Sequence, residues 1–318
     1  VVDAVSTTGA RGSSAAVIGA SGFIGSALAR RIQSHGLPVR SFTREIPFMP
    51  APGRIAEEVA VSGTVFWLSA TINPAIAEER PDLVEYDQTM FETFLRNLES
   101  EGRSPRVVLL SSGGTVYDPS VAAPYTEVSP VRGVTAYARA KLALEQALLS
   151  AGLPEACKLV VRAANAYGPG QPARRKQGVI SHWLHAAQER RPLVLFGERR
   201  TVRDYVYIDD LVDALVKIHV VAGEMPPILN VGSGRPTSLG EVAQTVLDVV
   251  GDTTLPIDLR PARPFDLPDT WLDIDLATRT LGWRPRTSLH DGVAAAWGSI
   301  RGLSETADRG ATSPIAPS

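Results

Sequence analysis

Residues 14–25 read Ser14-Ala15-Ala16-Val17-Ile18-Gly19-Ala20-Ser21-Gly22-Phe23-Ile24-Gly25, a short apolar run that opens into three glycines at three-residue spacing. Val17 and Ile18 end a buried strand. Gly19 permits the sharp turn, Gly22 lets a pyrophosphate approach the backbone, and Gly25 lets the following helix pack closely. Behind the turn Ile24, Leu28 and Ile32 recur at four-residue spacing, and Gly36 stands where a helix ends in a left-handed residue. The helix N-terminus aims its N–H groups and the positive end of its dipole at a phosphate. Steric need alone puts glycine in many turns; the strand before and the helix after make this one a dinucleotide site, with Ser21, Phe23 and Ile24 completing the loop.

Outward from that turn the alternation continues. Pro38–Thr43 reads as a second strand, Val65–Ser69 and Arg106–Ser111 as further buried parallel strands and Asp82–Leu98 as an intervening helix, the pattern of a doubly wound α/β sheet. Ligands in such sheets lie beyond the carboxyl ends of the strands, at Leu68, Ser69 and Ala70 and at Ser111–Thr115. The second strand ends Ser41-Phe42-Thr43-Arg44, without the acid that selects NAD through its ribose hydroxyl. Thr43 and Arg44 therefore point to the 2′-phosphate of NADP(H), with NAD as the alternative.

The chemistry lies in Tyr137-Ala138-Arg139-Ala140-Lys141, on a helix that Thr135 is placed to cap. Tyr137 and Lys141, four apart, share a helical face. An unaided phenol is a poor acid or base at neutral pH; an ammonium one turn away stabilises the phenolate, and the pair can protonate an alkoxide or deprotonate an alcohol.

Composition bounds the rest. The 318 residues are 44% hydrophobic and 21% charged, enough for a large core or a core with a smaller lobe. A net charge of −2 speaks against nucleic acid or a membrane surface as partner, and no apolar run is long enough to span a bilayer. Residues 1–13 lack the pattern of a signal peptide and read as a mobile arm; residues 304–318 read as a disordered tail. Cys157 is the single cysteine, a small filler rather than a nucleophile, and the expected location is cytoplasmic. His182 and His185 read as groove-lining or solvated, with no metal site, and Arg174-Arg175-Lys176 as a loop at a cleft or a solvated surface. Asn230-Val231-Gly232-Ser233-Gly234 reads as a strand end in the C-terminal lobe, followed by an amphipathic helix over Leu239–Val250.

Five motifs in order carry a resemblance: Gly19-x-x-Gly22-x-x-Gly25, Ser111-Ser112-Gly113-Gly114-Thr115-Val116-Tyr117, Tyr137-x-x-x-Lys141, Arg162–Gln171 and Arg203–Asp210. From about residue 14 to 300 the chain resembles an extended short-chain dehydrogenase/reductase of the nucleotide-sugar epimerase/dehydratase family. The resemblance implies a Rossmann domain over 14–165, with room for later segments to return to it, and a lobe mainly within 166–303 that holds a nucleoside-diphosphate sugar. It implies that Lys141 also holds the nicotinamide ribose, that Asn165, Arg203 and Arg263 meet the diphosphate, that Val194 and Phe196 line the nucleobase, and that the helices near 82–98 and 137–150 form a homodimer.

The departures from the family are informative. Gly113 stands where relatives carry the catalytic Ser or Thr, so either Ser112 or Thr115 must hold the substrate oxygen, or the Tyr–Lys pair works with a weaker partner. Gly114-Thr115 replaces the Asp-Glu pair of 4,6-dehydratases, which removes dehydration. The expected reaction is NADPH-dependent reduction of the C4 ketone of a dTDP-4-keto-6-deoxyhexose, or of its 2,6-dideoxy variant, in deoxysugar biosynthesis. The alternatives are an NAD-dependent, redox-neutral 4-epimerase and a non-catalytic NADP sensor.

Overall fold

The computed structural model describes residues 14–51, 53–173 and 178–311, with side chains described to Gly302; the expected arm at 1–13 and the Arg174–Lys176 run lie outside them. The first half runs β1 (Ala15–Ile18), α1 (Phe23–Ser34), β2 (Val39–Phe42), α2 (Glu57–Ala60), β3 (Thr64–Trp67), α3 (Pro74–Glu79), α4 (Pro81–Ser100), β4 (Arg106–Ser112), α5 (Ala136–Ser150) and β5 (Lys158–Ala163). The second runs β6 (Asn165–Tyr167), α6 (Val179–Gln188), β7 (Leu193–Phe196), β8 (Val202–Arg203), β9 (Tyr205–Tyr207), α7 (Ile208–Val220), β10 (Ile228–Val231), β11 (Thr237–Ser238), α8 (Leu239–Val250), β12 (Ile257–Arg260), α9 (Asp275–Leu281) and α10 (Leu289–Ala311).

Six strands form one parallel sheet in the order β10-β5-β4-β3-β1-β2. It is a Rossmann-type α/β sheet whose strand order reverses between β1 and β3, the place where a crevice opens. The inner strands β1 and β3 are buried along their whole length because both faces of the sheet are covered, whereas the edge strand β2 exposes Arg40 and Ser41. Ala15 and Val17 join a core with Leu28, Ile32 and Leu215 from α1 and α7, while Ala16 and Ile18 join one with Phe91, Phe94, Leu98, Leu144 and Leu148 from α4 and α5.

Outside this sheet stand three two-stranded pairs, β7 with β12, β8 with β11 and β6 with β9. Helices α6, α8 and α10 close over them around Trp183, Leu184, Leu195, Val246 and Val293. Helix α8 spans the expected residues, opened by a capping box between Ser238 and Glu241 and closed by Gly251 at φ +76°.

Two expectations are corrected. The segment ending at Asn230–Gly234 is no part of the C-terminal lobe: β10 pairs with β5 as an edge of the central sheet, a long-range pairing that local sequence does not encode. Residues 304–311, expected as disordered, continue α10 to Ala311. No proline interrupts them; residues 312–318 lie outside the described set.

Candidate active site

At the switch point the first turn is closely fitted. Gly19 has φ +90°, and a Cβ there would stand 2.7 Å from the Ser69 nitrogen and 2.8 Å from the Leu68 carbonyl carbon. A Cβ on Gly25 would collide with the Gly19 carbonyl. The turn thus seats against Leu68–Ser69, at the end of β3. Gly22 caps α1 with no side-chain hydrogen bond, and the first turn carries no acid. An N-terminus without a capping side chain or a first-turn acid, with glycine at the point of approach, fits a pyrophosphate.

At the end of β2, Arg44 is exposed. Beside it stands a carboxylate that the sequence reading passed over: Glu45 accepts a 2.8 Å hydrogen bond from the Thr43 hydroxyl, which holds its carboxyl below the ordinary range. Thr43 Oγ1 in turn accepts from the amides of Glu45 and Ile46, so Thr43 organises this loop.

Thr135 caps α5 by accepting from the Ala138 amide at 3.1 Å, and Glu78 of α3 accepts from the Ala136 amide at 2.7 Å. One turn in, the Lys141 ammonium lies 5.7 Å from the Tyr137 ring centroid and donates to the Leu110 carbonyl on β4 at 3.2 Å. Lys141 is buried, and the half-buried Tyr137 packs against the cluster of Ile72, Ala77 and Ala140. The next residue on this face is Glu145, which takes hydrogen bonds from Ser111 Oγ and from the guanidinium of Arg162, at 2.7 Å for Nη2. These contacts tie α5 to β4 and β5 at a fixed register.

A cavity of about 760 Å³ opens beyond the carboxyl ends of β4 and β5, the volume of a site for a sizeable small molecule. Its wall brings together Thr115, Asn165, Val194, Phe196, Arg203 and Arg263, six of the expected site residues. Tyr137, Lys141, Ser112 and the first glycine turn are outside that lining. Helix α3 connects the two groups, because Pro74, Ala75 and Glu79 line the cavity while Ala77 belongs to the cluster against which Tyr137 packs.

Three polar residues of this wall, Asn165, Arg203 and Arg263, already have partners. Asn165 Nδ2 donates to the Asp204 carbonyl at 3.0 Å. Arg203 donates to the carbonyls of Leu267 at 2.6 Å and Pro268 at 3.0 Å. Arg263 pairs with Asp266 at 2.7 Å, and its guanidinium stands 4.7 Å from the Phe196 ring centroid and 4.8 Å from that of Phe265. The ring of Phe196, expected to line the nucleobase, has this cation as one neighbour, since guanidinium prefers an aromatic face.

Beneath the wall Asp204 is a buried hub. It accepts from Ser233 N (2.7 Å), Ser233 Oγ (2.6 Å), Gly234 N (3.2 Å) and Leu272 N (3.3 Å). Burial pushes its carboxyl above the ordinary range against the pull of these donors. The sequence reading also missed α3, although Asn73-Pro74 is a cap followed by an N1 proline and Asn73 Oδ1 does accept from the Ile76 amide at 2.9 Å. His182 lines the cavity; burial and the charges of His185, Arg263 and Arg191 pull its imidazole below the ordinary histidine range.

Among the described residues no helix is long and apolar enough to cross a membrane, and no cluster of three or more His, Cys, Asp or Glu could hold a metal ion. Comparison with known proteins agrees with the geometry. The chain is 36% identical over 190 residues to a UDP-glucose 4-epimerase of Mycolicibacterium smegmatis, a match covering 59% of this chain and 60% of that relative. It is 29% identical over 306 residues to the dTDP-6-deoxy-L-talose 4-dehydrogenase (NAD(P)(+)) of Kitasatospora kifunensis, covering 89% and 94%. A solved UDP-glucose 4-epimerase of Thermotoga maritima with UDP-glucose superposes with a TM-score of 0.81 at 25% identity, over 92% of this chain and 99% of that one. The NAD dependent epimerase/dehydratase family model matches residues 15–232, so this Rossmann-type chain belongs to that family.

Proposed function

We propose that the protein reduces the C4 ketone of a dTDP-4-keto-6-deoxyhexose, with NADPH as reductant. The observation that carries the reading is the meeting at β4: Lys141 is bonded to Leu110 of that strand, and the loop leaving it enters a cleft of nucleotide-sugar size through Gly114 and Thr115.

The first turn, Leu68, Ser69 and Ala70 would hold the dinucleotide, with Arg44 at the 2′-phosphate and Thr43 ordering its loop. NADPH, when bound, supplies the hydride that C4 gains. Tyr137 gives its phenolic proton to the C4 oxygen, so ketone becomes secondary alcohol, and Lys141 stabilises the phenolate left behind until solvent reprotonates it. Asn165, Arg203 and Arg263 would face the diphosphate and Val194 and Phe196 the nucleobase. The guanidiniums would exchange carbonyl and carboxylate partners for phosphate oxygens, which they bind bidentately. The reading includes a homodimer through α4 and α5, where Tyr86 of α4 stands exposed.

Reduction is favoured over epimerisation by Arg44 and by the near full-length match to an enzyme named for C4 oxidation of a dTDP-6-deoxyhexose. Glu45 at the end of β2 and the full-length structural match favour the second reading, an NAD-dependent 4-epimerase. Incubation with NADPH and a 4-keto sugar nucleotide decides: stoichiometric oxidation of NADPH is expected. Co-purified NAD, with interconversion of C4 epimers and no net oxidation, overturns the reductase. A cofactor sensor would be unaffected by Tyr137→Phe.

A further inference from the structure

We propose that Thr115 supplies the hydroxyl that hydrogen-bonds the substrate's C4 oxygen, the part played in relatives by the residue at position 113; the inference rests on the reductase reading above. Three hydroxyls stand near the end of β4, and the structure treats them differently.

Position 113 cannot hold one. A Cβ on Gly113 would stand 2.6 Å from Leu272 Cδ1, 2.9 Å from its Cδ2 and 3.1 Å from the Arg162 carbonyl oxygen. Leu272 is no flexible tip: it is 1% exposed, its amide donates to Asp204, and it is bridged to Tyr125. The space of a side chain at 113 is filled by an anchored leucine. Ser111 is committed on the α5 face of the sheet, its Oγ donating to Glu145. Ser112 projects to the opposite face by strand alternation and does not line the cavity.

Thr115 does line it, between Gly114 and Asn165, and its Oγ1 is shielded from solvent with no hydrogen-bond partner among the described residues. A buried hydroxyl left without a partner is costly, and native structures retain few. One 120° step about χ1, between two staggered wells, moves the hydroxyl out of its shielded position and would let it face the cleft that the residue lines. An acceptor arriving there relieves the unsatisfied donor, so the interaction forms with substrate and not before it. Thr115 donates a hydrogen bond only; the transferred proton remains Tyr137's.

The test is a set of four proteins assayed for NADPH oxidation with a dTDP-4-keto-6-deoxyhexose and melted without substrate. Thr115→Val should lower kcat by about 10- to 100-fold with its Tm equal to or above that of wild type, because it deletes an unsatisfied hydroxyl. Thr115→Ser should restore kcat to within about threefold, and Ser112→Ala should stay within about twofold of wild type. Thr115→Val turning over like wild type, or losing activity in step with its Tm, overturns the inference and leaves the reductase reading standing. So does a loss seen in Ser112→Ala alone. A wild-type chain inactive on every 4-keto sugar nucleotide overturns the reductase reading and this inference with it.

Discussion

Two glycine-rich turns leave the same sheet, and the protein's own Asp204 carboxylate fills one of them. Gly19–Gly25 leads from β1 into α1, whose first turn has neither a capping side chain nor an acid. Gly232–Gly234 leads from β10, and there the amides of Ser233 and Gly234 donate to the Asp204 carboxylate. Gly232 is required because a Cβ would stand 2.5 Å from Asp204 Oδ2. The second turn is an anion site filled by the protein's own anion. Glycine spacing therefore marks where backbone amides can converge on a negative group; whether that group is a ligand depends on what the rest of the chain brings there.

The comparison can be broken or sharpened by experiment. The largest expected effect spares both turns: Tyr137→Phe should lower kcat by about 10²- to 10⁴-fold with an unchanged melting temperature, measured by steady-state kinetics beside thermal unfolding. A comparable fall in Tm would move Tyr137 from chemistry to packing.

Next, Asp204→Ala should cost about 3 kcal/mol in urea unfolding, because several buried donors lose their acceptor together. Cofactor affinity should be retained while KM for the sugar nucleotide rises, since the Asp204 backbone also receives Asn165. Equal stability of mutant and wild type would mean that the second turn does not need its carboxylate.

Gly19→Ala strikes the first turn, where φ is +90° and Ser69 is in the way. Stability should fall by about 1–3 kcal/mol and NADPH affinity by at least about tenfold, read by calorimetry. Binding as tight as wild type would remove the first turn from the cofactor site. Smaller still, Arg44→Gln should raise KM for NADPH about tenfold and leave that for NADH unchanged; equal effects on both would favour the epimerase reading.

The smallest effect is a pH dependence. The His182 imidazole is held below its ordinary value, so below about pH 6.5 the unfolded chain takes up a proton that the folded chain does not. Its contribution to stability is present above that pH and is lost as the pH falls through the folded value. His182→Gln should therefore flatten the acid side of the stability profile; an unchanged slope would show that His182 titrates normally.

Much of the cofactor side was legible in sequence because its determinants are local. A strand, three glycines and an amphipathic helix occupy adjacent residues, and Thr135, Tyr137 and Lys141 lie within two turns of one helix, so spacing alone decides their relation. The Leu239–Val250 helix was legible for the same reason, its periodicity and cap being contiguous. The placement of β10 was not, because its partner β5 lies more than sixty residues earlier. Likewise the ring of Phe196 meets Arg263 from a distant loop, and no periodicity records that meeting.

By itself, then, the sequence determined a parallel α/β sheet with a phosphate-ready first turn and a tyrosine–lysine face, since each follows from short-range sterics and helical spacing. Only the tertiary structure decided which glycine turn its own carboxylate fills, that Leu272 occupies the space beside Gly113, and that Thr115 stands in the cleft wall with its hydroxyl unpaired. Those outcomes depend on side chains brought together from segments far apart in the chain, where close packing admits one arrangement and local pattern cannot name the neighbour.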